Sequence, residues 1–261
     1  MKIVVCIKQV PDTNEVRLDP KTGTLIREGV PSIINPDDKA GLEAALRLKD
    51  SLGAEVTVLS MGPPQADTAL REALAMGADK AILLTDRAFG GADTWATSTT
   101  IAAAIKNLEY DLIITGRQAI DGDTAQVGPQ ISEHLHIPNI SYAEEIKVEG
   151  DYVVVKRQYD DRYHIVKAKM PCLITALSEL NEPRYMTAGG IFDAYKEKEV
   201  INWGLKDITV DQSNIGLKGS PTRVVQSFPK SVKPAGTKVD LGDPEESASY
   251  IVEKLKEKYI L

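Results

Sequence analysis

The sequence predicts an α/β protein in which a mostly parallel sheet is flanked by helices. The first half alternates short apolar segments with helical ones, which is the pattern of βαβ units. The second half has several strand-like segments in succession, which predicts antiparallel strands added to that sheet. Residues 218–240 are rich in proline and glycine, which predicts an extended carboxyl-terminal arm.

In the first half, predicted strands and helices follow one another in strict alternation. Each strand is a short apolar run, and each helix carries apolar or small residues at helical spacing. Gly77 is expected to end the second helix, and Asp93 or Thr94 to cap the third. The predicted elements are the strand Lys2–Ile7, the helix Asp37–Leu52, the strand Glu55–Ser60, the helix Gln65–Met76, the strand Lys80–Leu84, a helix ending near Leu108 and the strand Leu112–Thr115.

In the second half, strands dominate until the pattern weakens after Leu177. Glu149-Gly150-Asp151 predicts a hairpin turn between two of these strands. We expect a domain of residues 1–217 and an arm of residues 218–261 that packs on a partner subunit, with an arm folded back on its own domain as the alternative. The predicted elements are the strands Ile146–Glu149, Tyr152–Gln158, Tyr163–Lys169 and Pro171–Ala176, a short helix Ile191–Lys198 and an amphipathic helix Pro244–Tyr259.

Composition restricts the class of protein. A hydrophobic content of 43% and a net charge of -7 are typical of a globular protein that does not bind nucleic acid. No apolar run approaches the ~20 residues of a membrane span, and no signal peptide is visible, so we expect a cytoplasmic protein. Cys6 and Cys172 lie in strand-like runs, which favours buried free thiols. The three histidines are not spaced as metal ligands, so no metal site is expected.

The main candidate site is the polar loop of residues 115–129. It joins the carboxyl end of an apolar strand to the start of a helix near Gln130, which is where ligands bind in α/β sheets. Gly116 and Gly122 permit unusual backbone geometry, Thr124 offers a hydroxyl, and free N–H groups at a helix start can hold a phosphate. An ordinary capped loop is the alternative.

Two further segments precede helices. In Asn35-Pro36-Asp37-Asp38, a helix cap by Asn35 or Asp37 is the preferred interpretation over a ligand contact. In Phe89–Thr97, two threonines share a helical face near the amino end, where phosphate oxygens are favoured, and a capped helix is the alternative. The sequence lacks the glycine motifs of dinucleotide-binding turns and phosphate loops, and it lacks a nucleophile elbow. We therefore assign no catalytic residue. Redox chemistry would need a bound cofactor.

Taken in order and spacing, these segments resemble the β subunit of electron-transfer flavoproteins. The similarity implies an adenine-nucleotide α-hydrolase-like fold and a heterodimer with an α subunit that carries FAD. A free-standing ATP-binding protein of the same fold class is a competing hypothesis, against which the arm and the missing phosphate loop argue. The matching segments are Lys2–Gln9, Asn35–Lys49, Met61-Gly62-Pro63, Leu74–Asp79, Gly116–Gln126, Val155–Ala176 and Asn181–Tyr185.

The resemblance also implies a nucleotide in the β subunit. Two segments resemble members that hold FAD in the β subunit, namely Asp121-Gly122-Asp123-Thr124 and Phe89–Thr97. In those members the FAD accepts hydride from NADH. It sends electrons to ferredoxin or flavodoxin and, through the α-subunit flavin, to an acyl-CoA dehydrogenase. Other members hold AMP there as a structural ligand. The implied nucleotide-binding residues are Cys6, Asn35, Asp38, Met61, Asp93, Thr94, Thr97, Gly116, Gln118, Ala119, Asp121, Gly122, Asp123, Thr124, Ala125, Gln126 and Val127.

A partner-recognition loop is implied as well. Its residues are Pro183, Arg184, Tyr185 and Ala188. Many members carry a leucine anchor where this chain has Thr187-Ala188-Gly189-Gly190. Either the dehydrogenase surface is different, or Met186 or Ile191 supplies the apolar contact. Arg117 is a candidate for tuning the flavin, with an ordinary surface arginine as the alternative.

Overall fold

The computed structural model describes residues 1–12, 31–225, 235–236 and 238–261. The chain divides into two compact units, residues 1–227 and residues 228–261. Residues 226–234 and 237 of the expected arm lie outside the described residues. The proposed domain boundary after residue 217 stays a prediction.

The larger unit begins with three strands, alternates helices and strands from its first to its fourth helix, and then continues mainly with strands. The strands are β1 (Lys2–Cys6), β2 (Gln9–Pro11), β3 (Ser32–Ile34), β4 (Glu55–Met61), β5 (Lys80–Leu84), β6 (Leu112–Gly116), β7 (Asn139–Glu149), β8 (Tyr152–Gln158), β9 (Tyr163–Lys169), β10 (Cys172–Ala176) and β11 (Val200–Trp203). The helices are α1 (Pro36–Leu52), α2 (Asp67–Met76), α3 (Thr94–Ile105), α4 (Val127–Leu135) and α5 (Ala188–Lys196).

A nine-stranded sheet with the order β11-β5-β4-β1-β6-β10-β7-β8-β9 organises this unit. Neighbouring strands are parallel from β11 to β7. The strands β7, β8 and β9 pair antiparallel. The predicted fold class is therefore confirmed. The chain steps outward from β1 to β4 and β5 and then returns to the other side of β1 with β6, which makes the β1–β6 junction a topological switch point.

Two apolar clusters cover the two faces of the sheet. In β1, Ile3 and Val5 belong to the cluster that includes α1 and α2. The alternate residues Val4 and Cys6 belong to the cluster that includes α3 and α4. Successive side chains of a strand point to opposite faces, so a central strand must be apolar throughout when helices cover both sides. For this reason the strands β1, β6 and β10 consist mainly of consecutive apolar residues.

Several element boundaries differ from the prediction. The strand β7 begins at Asn139 instead of Ile146, because its first half contains a bulge and the left-handed residue Tyr142 (φ 60°), which break the alternation of apolar and polar residues. The helix α3 ends at Ile105, short of the expected Leu108. The two-stranded sheet of β2 and β3 and the edge strand β11 were not predicted, because three or four residues carry too little periodicity.

The smaller unit contains one described helix, α6 (Pro244–Glu257). The carboxylate of Asp243 caps it by accepting a hydrogen bond from the N–H of Glu245 at 3.2 Å. Ile251 and Val252 are exposed on it, which fits the predicted amphipathic helix. None of the described helices is long and apolar enough to cross a membrane.

The packing of α1 on the sheet predicts different outcomes for two helix glycines. A Cβ atom at Gly41 would lie 2.9 Å from Ile114 Cγ2, whereas a Cβ atom at Gly189 of α5 would meet nothing within 4 Å. We expect Gly41→Ala to lower the free energy of unfolding by about 1–3 kcal/mol through overpacking. Gly189→Ala is the control and should be neutral or stabilising by up to about 1 kcal/mol. Urea denaturation measures both, and equal values for the two variants would contradict this packing.

Candidate functional site

A cavity of about 790 Å³ lies at the carboxyl ends of β1, β4 and β6. Its volume lies in the upper part of the about 300–1,000 Å³ range of ligand pockets. Fifteen of the seventeen expected nucleotide-binding residues line it, while Asn35 and Asp121 do not. The lining residues that were expected are Cys6, Asp38, Met61, Asp93, Thr94, Thr97, Gly116, Gln118, Ala119, Gly122, Asp123, Thr124, Ala125, Gln126 and Val127. Their contact with a ligand stays a prediction.

The carboxylate of Asp38 joins the two strands at the base of the cavity. One oxygen accepts a hydrogen bond from the N–H of Lys8 at 2.8 Å, and the other accepts one from the N–H of Gly116 at 2.9 Å. These groups follow β1 and end β6, so one side chain of α1 fixes the switch point. Burial raises the pKa of Asp38 to about 7, although hydrogen bonds from Lys8, Asn35 and Gly116 oppose the rise.

Asn35 holds the polar loop instead of capping α1. Its side-chain amide donates to the carbonyl of Gln118 at 2.8 Å and accepts from the N–H of Ile120 at 3.0 Å. Asp37 accepts from the N–H of Ser178 at 3.0 Å. No side chain caps α1, so the expectation that Asn35 or Asp37 is the cap was wrong. Both side chains are buried, where backbone groups of neighbouring segments compete successfully for their oxygens.

The loop is fixed at its base and open at its tip. Lys8 Nζ lies 2.6 Å from a carboxylate oxygen of Asp121, whose side chain is 8% exposed and does not line the cavity. Beyond it, Asp123 (φ 50°) and Ala125 (φ 52°) adopt left-handed backbone conformations, which are uncommon for residues other than glycine and are typical of ligand-binding segments. Residues 122–124 are exposed, so a ligand can approach their backbone.

Two helices begin at this cavity. The residues Thr94 and Thr97 of α3 and Val127 of α4 line it. Thr94 Oγ1 donates to Gln126 Oε1 at 2.9 Å and so connects the two helix starts. The start of α4 has no side-chain cap, so its first N–H groups and the positive end of its dipole favour an anion such as a pyrophosphate, whereas the start of α3 is capped by Asp93. The donor set of the cavity therefore fits a phosphate-bearing nucleotide.

Asp93 caps α3 and also holds a later part of the chain. Its carboxylate accepts from the N–H of Ala96 at 3.0 Å and from the hydroxyl of Thr222 at 2.7 Å. Thr222 and Val224 consequently line the cavity, although no local pattern in the sequence indicates this. The other lining residues outside the expected set are Ile7, Lys8, Ala92, Ile101, Thr115, Gly128 and Ile131, together with Arg117, the candidate for tuning the flavin.

The cysteine that lines the cavity, Cys6, is not an activated nucleophile. Burial raises the pKa of the Cys6 thiol to about 12, so it stays neutral. Both cysteines are free and buried, as predicted. The described residues contain no group of three or more potential metal ligands.

The expected partner-recognition segment lies on α1 and continues into α5. Arg184 is anchored there, with Nε 2.8 Å from a Glu43 oxygen and a terminal nitrogen 2.8 Å from an Asp50 oxygen. Tyr185 is 94% exposed, Ala188 begins α5, and Pro183 is half-buried. The structure thus places these four residues together at the surface, and their contact with a partner stays a prediction.

Comparison with known proteins gives consistent matches. The family model described as "Electron transfer flavoprotein domain" matches residues 22–207. The chain is 62% identical to "Electron transfer flavoprotein subunit beta" of Clostridium acetobutylicum. It is 56% identical to "Caffeyl-CoA reductase-Etf complex subunit CarD" of Acetobacterium woodii and 48% identical to "Acryloyl-CoA reductase electron transfer subunit gamma" of Anaerotignum propionicum. Each alignment covers 100% of this chain and 100% of the relative.

The raised pKa of Asp38 predicts that the free energy of unfolding depends more strongly on pH in the native protein than in Asp38→Asn. The Asp38 carboxyl group holds its proton more tightly in the folded state than in the unfolded state, where its pKa is near 3.8. Protonation of Asp38 therefore contributes most to the free energy of unfolding below pH 3.8, and this contribution is lost as the pH rises to about 7. A tenfold change in proton affinity between the two states corresponds to about 1.4 kcal/mol. Between pH 4 and 8 the native protein should therefore lose more free energy of unfolding than the variant, by a few kcal/mol.

Urea denaturation at several pH values in this interval measures that difference. Asp161→Asn, at an exposed carboxylate of the β8–β9 turn, is the control and should follow the native pH profile. Parallel profiles for the native protein and Asp38→Asn would contradict the prediction.

Proposed function

Because this chain belongs to the electron-transfer flavoprotein family, as the β subunit of a heterodimer, we propose that its cavity binds FAD and that the bound flavin is reduced by NADH. The observation that carries the proposal is the large cavity at the switch point, with two helix amino ends in its wall. AMP, held as a structural ligand, is the alternative occupant, since it shares the adenylate half of FAD.

The dimensions and the loop favour FAD over AMP. A dinucleotide carries a second phosphate and a flavin ring, which need room and additional donors beyond an adenylate site. The cavity of about 790 Å³ offers that room, and the exposed tip of the loop at Gly122 allows close approach of the backbone. The uncapped start of α4 supplies backbone donors for a phosphate.

The residues of the chain bind and orient, and the cofactor supplies the chemistry. When bound, FAD would take an electron pair from NADH and release single electrons to ferredoxin or flavodoxin and, through the α-subunit FAD, to an acyl-CoA dehydrogenase. Asp38 and Asn35 hold the base of the site rigid, which preserves the orientation of the ligand. Arg117 lines the cavity and places a positive charge beside it. No protein acid or base is required.

An apolar surface beside Arg184 is the proposed contact for the acyl-CoA dehydrogenase. The names of two relatives refer to caffeyl-CoA and acryloyl-CoA reductases, which supports a partner of that class. Exposed apolar residues cluster here, whereas such side chains are normally scattered on a free surface. They are Tyr185, Met186, Ile191, Phe192 and Tyr195. Met186 and Ile191 are proposed to replace the leucine anchor of other members.

The carboxyl-terminal arm is proposed to pack on the α subunit. The helix α6 exposes Ile251 and Val252, which a partner subunit would cover.

Two free buried thiols are usual in a reducing compartment, which supports a cytoplasmic location.

The cofactor content of the heterodimer tests the proposal. We expect two molecules of FAD per heterodimer and bleaching of the flavin absorbance by NADH in the absence of any other protein. Extraction and quantification of nucleotides from the purified complex measures the content. One FAD together with one AMP would contradict the proposal and support the alternative, and a β subunit without nucleotide would contradict both.

A matched pair of threonine variants locates the second flavin. Thr97 lines the cavity, and its hydroxyl has no hydrogen-bond partner among the described residues, whereas the Thr99 hydroxyl donates to the carbonyl of Trp95 at 2.8 Å outside the cavity. Thr97→Val should raise the dissociation constant of the β-subunit flavin about 5- to 10-fold, as loss of one hydrogen bond predicts. Thr99→Val should leave it unchanged. Equal retention of flavin in both variants would place the flavin elsewhere.

The proposed dehydrogenase surface predicts a selective defect. In Met186→Ala/Ile191→Ala we expect electron transfer to the acyl-CoA dehydrogenase to fall about 10-fold or more, because removing a buried anchor weakens docking by more than about 1 kcal/mol. Reduction of the heterodimer by NADH should be unchanged. Ile165→Ala, at an exposed isoleucine of β9, is the control. Normal transfer to the dehydrogenase in the double variant would contradict this surface.

A further inference from the structure

A second cavity, of about 600 Å³, lies at the ends of β6, β10 and the β7–β8 pair. Two arginines, Arg117 and Arg157, contribute to its wall together with Tyr142, Tyr159 and Asp160. Arg117 lines the first cavity as well, so the two cavities share a wall residue and adjoin.

The guanidinium of Arg157 is held rigid and retains unused donors. It lies 4.7 Å from the ring centre of Tyr159 and 5.7 Å from that of Tyr142, and one terminal nitrogen donates to the Tyr159 hydroxyl at 2.7 Å. Its Nε is buried and has no hydrogen-bond partner among the described residues. Buried donors of this kind are normally satisfied, so the orphaned Nε indicates a missing acceptor.

Arg157 has no carboxylate partner in the described part of the chain, whereas Arg117 forms an ion pair with Asp37. Arg157 forms no ion pair there, and Asp160, although in the wall, contacts neither guanidinium. Arg117 Nε lies 3.3 Å from Asp37 Oδ2, but the two atoms do not meet at a hydrogen-bonding angle. A planar guanidinium with a free edge is suited to bidentate binding of phosphate.

The backbone around Tyr142 is shaped to build this cavity. Tyr142 is left-handed (φ 60°), an unusual conformation for a bulky residue, and its N–H donates to Thr175 Oγ1 at 3.0 Å. A bulge follows between Ala143 and Glu145, beside the pairing of Ala143 with Arg157. Bulges and strained residues of this kind re-aim side chains next to binding sites. The strain and the orphaned donor are independent observations on one cavity.

We propose that this second cavity binds the ADP portion of the NADH that reduces the flavin, with Arg157 and Arg117 holding its pyrophosphate. The inference rests on the proposed function, since it supplies a docking site for the electron donor. A dinucleotide that reduces a ligand in the first cavity must lie beside that cavity, and the second cavity adjoins it through Arg117. The concave site, two guanidinium groups and aromatic walls match a phosphate-bearing adenosine better than a flat protein surface.

The test compares Arg157→Gln with Arg162→Gln in the flavin-loaded heterodimer. Arg162 is an exposed arginine of the same hairpin that does not line the cavity, so it controls for loss of a charge. The probe is ADP-ribose, which lacks nicotinamide and is redox-inactive. We expect Arg157→Gln to raise the dissociation constant of ADP-ribose, measured by calorimetry, about 10-fold or more. The KM for NADH should rise by a similar factor, with kcat and flavin content unchanged. Arg157→Lys should give an intermediate loss, because it keeps the charge but not the planar fork.

Three results would overturn the inference. The first is an unchanged dissociation constant for ADP-ribose in Arg157→Gln. The second is binding of inorganic pyrophosphate as tight as that of ADP-ribose, which would show a general anion site. The third is loss of the heterodimer in Arg157→Gln, which would place Arg157 in the subunit interface. Failure of the proposed function is distinguished by the native heterodimer, which would then hold one flavin or resist reduction by NADH. The calorimetric result still decides the inference in that case.

Discussion

The carboxylate of Asp38 is the constraint on which the site depends. It reaches from the start of α1 to the backbone N–H groups that follow β1 and end β6. Asn35, one turn earlier, holds the loop that leaves β6. A single helix start thereby fixes both strands and the loop of the switch point. The desolvation that raises the pKa of Asp38 is the energetic consequence of placing a carboxyl group at the base of a cavity.

Most of the sheet could be predicted from the sequence because burial on two faces leaves a clear pattern. The strands β5, β8 and β9 have the bounds that the apolar runs predicted. The first half of β7 could not be predicted, because the bulge and the left-handed Tyr142 depend on pairing with β10 and β8. Local pattern therefore identified regular strands, and it failed where tertiary contacts set the backbone.

The candidate site was predictable in outline but not in its supporting contacts. Strand ends and helix starts can be read from sequence, and their residues do meet in one cavity. Sequence spacing does not show which side of a loop faces inward. Asn35 and Asp121 do not line the cavity and instead bond to the loop backbone and to Lys8, while their contact with a ligand stays a prediction. Thr222 joins through a contact with Asp93 that spans nearly half of the chain, and no local signal reports such a contact.

That contact between Asp93 and Thr222 also bears on how the protein is made. The wall of the cavity includes a residue that lies near the end of a chain of 261 residues. During synthesis the sheet and its helices can form while the ribosome is still extending the polypeptide. The wall of the cavity is complete only after Thr222 has been synthesised, which is later than every strand of the nine-stranded sheet that carries the cavity.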